Sequence, residues 1–222
     1  MIGPGNSRAI TSNQPGVHPD LIRHLRRYEN AEYSRPIAQH TQAAFDKIAK
    51  QVALSGQSII LDSGCGVGAS TEYLARHYPD DLVIGIDQSA RRLQKNRYCD
   101  GSCQPGHLLL VQADCVDFWR LALDAGWPIR KHFILYPNPW PKKRHLKRRW
   151  HGHPVFRCMA ELCGHVQVRS NWLVYVQEFA LAWEYIGGAA SRPYPIGADA
   201  SITPFERKYR NSGQTLYALD LG

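Results

Sequence analysis

Four short apolar runs constrain this chain more than any other feature, because each leads into a polar residue able to hold a ligand. Ser58-Ile-Ile-Leu-Asp62 runs directly into Ser63-Gly-Cys-Gly-Val-Gly68. Leu82-Val-Ile-Gly-Ile-Asp87, Leu108-Leu-Leu-Val-Gln112 before Asp114, and Phe133-Ile-Leu-Tyr136 before Asn138 repeat the arrangement. Runs this short and this continuous read as strands buried on both faces. Between them lie helical patterns: one opened by Pro36 and closed by Gly56, then Ala69–Tyr78, Ala90–Tyr98 and Val116–Leu123. Strands alternating with helices predict an α/β fold with a doubly wound, mostly parallel sheet and helices on both faces. Ligands of such sheets bind beyond the carboxyl ends of the strands. Asp62, Asp87, Asp114 and Asn138 all fall there.

The rest of the chain reads less sharply. A helix is expected near Pro154–Leu162, a strand through Trp172–Val176 and a helix on to Tyr185. A Gly/Pro-rich loop over about 187–200 and a loop at Thr203–Arg210 follow, and Gln214–Leu219 reads as a terminal antiparallel hairpin strand. Residues 1–35 read as an N-terminal arm and a short helix, with Leu21, Ile22 and Leu25 on one face and Arg23, Arg26 and Arg27 on the other. Residues 36–222 suit a single domain. No apolar run approaches the ~20 residues of a membrane span. Met1-Ile-Gly-Pro-Gly lacks the features of a secretory signal, so a cytoplasmic protein is expected.

A net charge of +8 calls for an anionic partner. Cysteines 65, 99, 103, 115, 158 and 163 lack paired C-x2-C spacing, so no metal site is expected from them. His145, His151 and His153 lack acidic or thiol partners at ligand spacing, and thiols buried or at the surface are the plainer reading.

The glycines at 64, 66 and 68 let the backbone turn tightly against a ligand at the start of the next helix. The third comes one residue early for a dinucleotide fingerprint, and an acid precedes the loop. An acid there repels a pyrophosphate but suits a cationic amino group. Asp87, about twenty residues on, is placed for a ribose diol, and Asp114 for an adenine edge, with Asp117 competing for that role. Together these acids favour S-adenosylmethionine over NAD.

The fourth run opens onto Pro137-Asn-Pro-Trp-Pro141, whose three prolines stop strand and helix alike. Six cations follow between Lys142 and Arg149. A like-charged run is ordinarily a solvated surface. After a strand-end turn carrying an amide and an indole, it reads instead as a phosphate-binding face beside a pocket for a flat base. Trp140 and Trp150 either stack on bases or pack.

The stretch Pro137-Asn-Pro-Trp-Pro-Lys-Lys-Arg-His-Leu-Lys-Arg-Arg149 resembles the P-D-P-W-x-K-x-R-H-x-K-R-R signature of bacterial tRNA (guanine-N7)-methyltransferases, which are class I S-adenosylmethionine-dependent enzymes with a Rossmann-like fold. Arg8-Ala-Ile-Thr-Ser-Asn-Gln14 is similar to that family's R-x-x-T-x-x-Q segment, and Thr203-Pro-Phe-Glu206 to its T-x-F-E motif. The resemblance spans nearly the whole chain. It implies a methyltransferase domain over 36–222, tRNA as partner and methylation of a variable-loop guanine. It further implies cofactor contacts at Asp62, Gly64, Gly66, Gly68, Asp87 and Asp114, and base contacts at Asn138, Lys142, Thr203 and Glu206. Arg144 and His145 belong to the same basic stretch. No metal is implied, and monomer and homodimer stay open.

Two positions depart from the pattern. The aspartate between the prolines is Asn138 here. The family's A-T-D-W segment has no clean counterpart, with Gln177 or Glu178 near its expected acid. Guanine N7 carries a free lone pair and needs no general base, so Asn138 acts by orienting the base. An aspartate accepts from guanine N1–H and N2–H2 together, which an amide cannot repeat. Guanine recognition is then expected to weaken unless Glu178 or Glu206 supplies the acceptors. Asn-Pro-Trp-Pro also resembles the N-P-P-Y/F/W turn of enzymes methylating exocyclic amines. A divergent paralogue acting on another base or a small heterocycle is therefore the alternative.

Overall fold

In the computed structural model, which describes residues 5–31, 33–96, 106–197 and 201–222, the strands form where apolar residues run without interruption. In chain order the elements begin with α1 (Leu21–Arg26), α2 (Gln39–Ser55), β1 (Ile59–Ser63), α3 (Ala69–His77), β2 (Leu82–Asp87) and α4 (Ala90–Leu93). Next come β3 (Leu108–Gln112), α5 (Cys115–Asp124), β4 (Ile129–Leu135) and 3₁₀ turns at Lys143–Arg148 and Trp150–Gly152. The chain closes through α6 (Phe156–Leu162), β5 (Val166–Ser170), α7 (Leu173–Tyr185), β6 (Tyr194–Pro195), α8 (Pro204–Asn211) and β7 (Tyr217–Leu221). The expected α/β class holds, with parallel strands first and antiparallel pairing near the C-terminus.

Two compact bodies divide the chain. The first, Arg35–Leu135 with Glu161–Gly164, holds four parallel strands in the order β3-β2-β1-β4. Every residue of β1 and β2 is buried, which is why both read as continuous apolar runs. On α2, Thr41, Phe45, Ile48 and Val52 form the buried stripe, and left-handed Gly56 caps its end as its sequence position predicts. Phe45 stacks on Trp127 at 4.4 Å and meets Phe118 edge-on at 5.4 Å. Burying each such ring contributes roughly 1.5–3 kcal/mol.

The second body, Met1–Ser34, Tyr136–Ala160 and His165–Gly222, pairs β5 and β6 antiparallel to β7. Here two expectations are corrected. Residues 173–176 lie in α7 and not in a strand, and the strand is the earlier Val166–Ser170. Thr203–Arg210 is the cap and body of α8 and not a loop. The N-terminal arm carries buried side chains at Gln14 and His18. Of the helix expected over Ala90–Tyr98, α4 covers Ala90–Leu93, and residues 97 and 98 lie outside the described residues, as do Cys99 and Cys103. Cys65 and Cys163 are buried. No helix among the described residues is long and apolar enough to cross a membrane.

Candidate functional site

In the first body the glycine loop is fixed by the ends of β1 and β2. Gly64, Gly66 and Gly68 all adopt positive φ, at 77°, 62° and 77°, a backbone that side chains resist. The amides of Gly64 and Cys65 donate to Ile86 O at 2.8 and 2.9 Å. Asp87 completes the anchoring: its Oδ2 accepts from Gly66 N and from Arg92, each at 3.0 Å, and its Oδ1 from Ser89 N at 2.8 Å. The expected ribose-binding acid is thus also the post that holds the loop.

Asp62, at the end of β1, is buried. Its Oδ2 accepts from the hydroxyls of Ser70 and Thr71, each at 2.7 Å, at the start of α3. Its Oδ1 is buried and has no hydrogen-bond partner among the described residues. Burial pushes this carboxyl up to about 6, against the pull of the two hydroxyls, and neighbouring Asp87 adds to the rise. A lone buried carboxylate oxygen beside a glycine loop is a receptor for a cationic or N–H group. These residues therefore fit the ammonium end of S-adenosylmethionine.

Asp114 caps α5, its Oδ1 accepting from Val116 N at 2.9 Å and Asp117 N at 3.2 Å, and it stays partly exposed. Its rival Asp117 is fully buried and holds Arg35 and the amide of Ala38, both at 2.9 Å. Asp117 is thereby committed to the start of α2.

In the second body the Pro-Asn-Pro-Trp turn is bounded by strained backbone. Tyr136 and Trp140 both take positive φ, 52° and 44°, costing about 1–3 kcal/mol each for such residues. Asn138 between them is exposed, and its Oδ1 accepts from Trp140 N at 3.3 Å. Arg149 secures the turn. It donates to Trp140 O through Nε at 3.2 Å and NH2 at 3.1 Å, and lies over the Trp172 ring at 4.9 Å. Arg148, by contrast, is exposed and lies over Trp140 itself at 4.7 Å.

Glu178 of α7 is the centre to which this turn is tied. Its Oε2 accepts from Arg149 at 2.5 Å and His151 at 2.8 Å, and its Oε1 from Gln14 at 2.5 Å and His18 N at 2.8 Å. Burial alone would raise its pKa, but the bond to His151 and the Arg149 charge hold it down near 2. Burial lowers the pKa of His151, against the bond and charge of Glu178, to which its Nε2 donates. Neighbouring Gln177 is half-buried.

Thr203 and Glu206 form a second buried set. Thr203 caps α8 by accepting from Glu206 N at 3.2 Å. Glu206 accepts from Arg169 at 3.0 Å and Tyr136 OH at 3.1 Å, and also from Ile202 N. Burial, followed by the Glu206 charge, raises the Tyr136 pKa. Both glutamates expected to supply base acceptors thus have their oxygens engaged inside the protein.

Lys142, Lys143, Arg144, Lys147 and Arg148 are exposed, and His145 is half-buried with a pKa lowered by burial and by the surrounding cations. An open groove of about 470 Å³ gathers Arg23, Arg27 and Tyr28 with Lys143, Arg144 and Lys147. The two basic segments of the sequence thus share one surface. Among the described residues no cluster of His, Cys, Asp or Glu is arranged to hold a metal ion.

One residue escaped the sequence reading. Because β5 ends at Ser170, the residues leaving it are Asn171 and Trp172. Arg169-Ser-Asn-Trp172 shares the tryptophan of the A-T-D-W segment, with asparagine where that segment has aspartate. The signal was the tryptophan, obscured by placing the strand too late.

Solved structures share the architecture. The 16S rRNA methyltransferase KamB superposes with a TM-score of 0.58 at 20% identity, covering 79% of this chain and 92% of that one. An antibiotic-related methyltransferase matches with a TM-score of 0.55 at 13% identity, covering 79% and 92%. The fold is that of the class I methyltransferases. The family model described as "Putative methyltransferase" matches residues 56–219. A tRNA (guanine-N(7)-)-methyltransferase of Jannaschia sp. (strain CCS1) is 35% identical over 171 residues, covering 72% of this chain and 70% of the relative. That of Ralstonia pickettii (strain 12J) is 28% identical over 127 residues, or 56% of this chain and about half, 49%, of the relative. The chain belongs to the tRNA (guanine-N7)-methyltransferase family, as a divergent member.

Proposed function

We propose that this protein methylates N7 of a guanine in tRNA, with S-adenosylmethionine as cofactor. The observation that carries the reading is the Pro-Asn-Pro-Trp turn. It is clamped from behind by Arg149, the last and only buried cation of a run whose other five are exposed. A strained, rigid turn beside a cationic surface suits a base presented on a phosphate backbone.

Asp62, Asp87 and Asp114, with Gly64, Gly66 and Gly68, hold the cofactor, which supplies a methyl group on a cationic sulfur. Guanine N7 already carries a free lone pair and would accept that methyl with no proton to lose. The protein's tasks are therefore positioning and exclusion of water. Asn138 orients the base, with Trp140 as its aromatic neighbour. Thr203 and Glu206 hold the Tyr136 side of the turn, and Gln177 and Glu178 lie on the helix behind Trp140. Lys142, Arg144 and His145 carry the RNA backbone together with the arm and basic helix of residues 1–35, while residues 36–222 form the methyltransferase domain.

Incubating the protein with unmodified tRNA and methyl-labelled cofactor, then identifying the product nucleoside by mass spectrometry, tests this. 7-Methylguanosine is the expected product, and no transfer to any tRNA would sink the proposal. The exposed amide of Asn138 favours one second reading, transfer to an exocyclic amine, which the same product analysis separates.

A further inference from the structure

The two asparagines at the strand exits point in defined chemical directions. Tyr136 N donates to Arg169 O at 2.9 Å, so the segments leading to Asn138 and Asn171 run side by side. Amide orientation is normally open, but backbone groups fix both here. Trp140 N can only donate, so the Asn138 atom facing it is Oδ1, and Nδ2 is left for a ligand. Gln214 is fixed by Ser7 O, a carbonyl that can only accept, at 3.0 Å from its Nε2. Gln214 Oε1 therefore faces Asn171 and must receive Nδ2, at 2.8 Å. Asn171 is left with an acceptor, Oδ1.

One donor and one acceptor on adjacent segments match an edge carrying an acceptor beside a donor. Guanine has such an edge in O6 and N1–H, and it leaves N7 open for reaction. Glu178 and Glu206 add no further acceptor, being committed internally. We infer that Asn138 and Asn171 read a 6-oxopurine, Asn138 Nδ2 donating to O6 and Asn171 Oδ1 accepting from N1–H. The 2-amino group then goes unread. Guanine and hypoxanthine are equivalent to this site, whereas adenine opposes both groups, donor against donor and acceptor against acceptor. The inference rests on the guanine reading above and makes its specificity explicit.

The test uses the full-length protein and three tRNAs carrying guanine, inosine or adenine at the methylated position, scored for both binding and methyl transfer. Comparable binding of the guanine and inosine tRNAs, within about threefold, with adenine at least tenfold weaker, is expected. Transfer to guanine tests the proposed function, whereas the inosine-to-guanine ratio tests the inference and is available from binding even without turnover. A guanine preference over inosine above about tenfold, or equal binding of all three, overturns it. Asn138→Asp, with cofactor binding as the control for folding, should introduce dependence on the 2-amino group and lower the inosine-to-guanine ratio about tenfold or more. An unchanged ratio in that variant also overturns the inference.

Discussion

Arg149 and Glu178 form an ion pair in which neither side chain has measurable solvent exposure, NH1 to Oε2 at 2.5 Å. The pair lies behind the Pro-Asn-Pro-Trp turn and joins it to the N-terminal arm through Gln14. Breaking one partner leaves the other charge buried, which costs on the order of 3–5 kcal/mol. Glu178→Ala and Arg149→Ala should each lower stability by about that much, read by urea denaturation. Arg149→Lys should recover little, because one ammonium cannot reach Glu178, Gln14 and the Trp140 carbonyl together. A lysine variant as stable as the wild type would refute the fork geometry.

Asp62 and Glu178 give opposite pH dependences. Burial raises Asp62 from about 4 when unfolded to about 6. The folded state then holds the extra proton, so stability falls as pH rises through that window, by on the order of 3 kcal/mol. Glu178 is held near 2, so its contribution is present above about 4.3 and lost as pH falls through the folded value. A cationic ligand at Asp62 favours the charged carboxylate. Cofactor affinity measured by calorimetry should therefore rise between pH 5 and 7, with proton release, and Asp62→Asn should flatten that rise. Affinity that falls with pH would remove Asp62 from the ammonium site.

The exposed cations of the groove should act on RNA and not on folding. Replacing Lys143, Arg144 and Lys147 by alanine should leave stability within about 0.5 kcal/mol. It should weaken tRNA binding and reduce the salt slope by about two. An unchanged slope with intact binding would place the RNA elsewhere.

Thr203 caps α8 with its hydroxyl, and Glu206 below it holds Arg169. Thr203→Ala should cost about 1 kcal/mol in thermal stability. Glu206→Ala should cost more, because it removes the buried acceptor that Arg169, Tyr136 OH and Ile202 N share. Equal losses in the two would show that Arg169 does not depend on Glu206.

The sequence makes the parallel strands plain because they are apolar on both faces, and the strand-end residues follow from them. β5 is harder to see. Its Gln167 and Arg169 look like surface residues but are buried against Asp220 and Glu206. Leu173–Val176 looks like a strand because α7 is buried nearly all round. That exchange moved the expected position of A-T-D-W and concealed Asn171. The Thr-x-x-Glu spacing with Pro204 next to Thr203 was a legible helix start, yet α8 lacks an apolar stripe and only Glu206 in it is buried. The buried role of Arg149 could not be read at all, since nothing in a run of six cations marks which one turns inward.

The bond from Gln14 to Glu178 closes a separation of 164 residues, which has a consequence for synthesis. A ribosome making ~5–20 residues per second delivers Glu178 roughly ten to thirty seconds after Gln14. Until then Gln14 and His18 lack their shared carboxylate acceptor, and Arg149, once made, has no counter-charge. The final seating of Gln14 and His18 must therefore wait on α7. A chain cut before Glu178 should leave its beginning as sensitive to protease as its end.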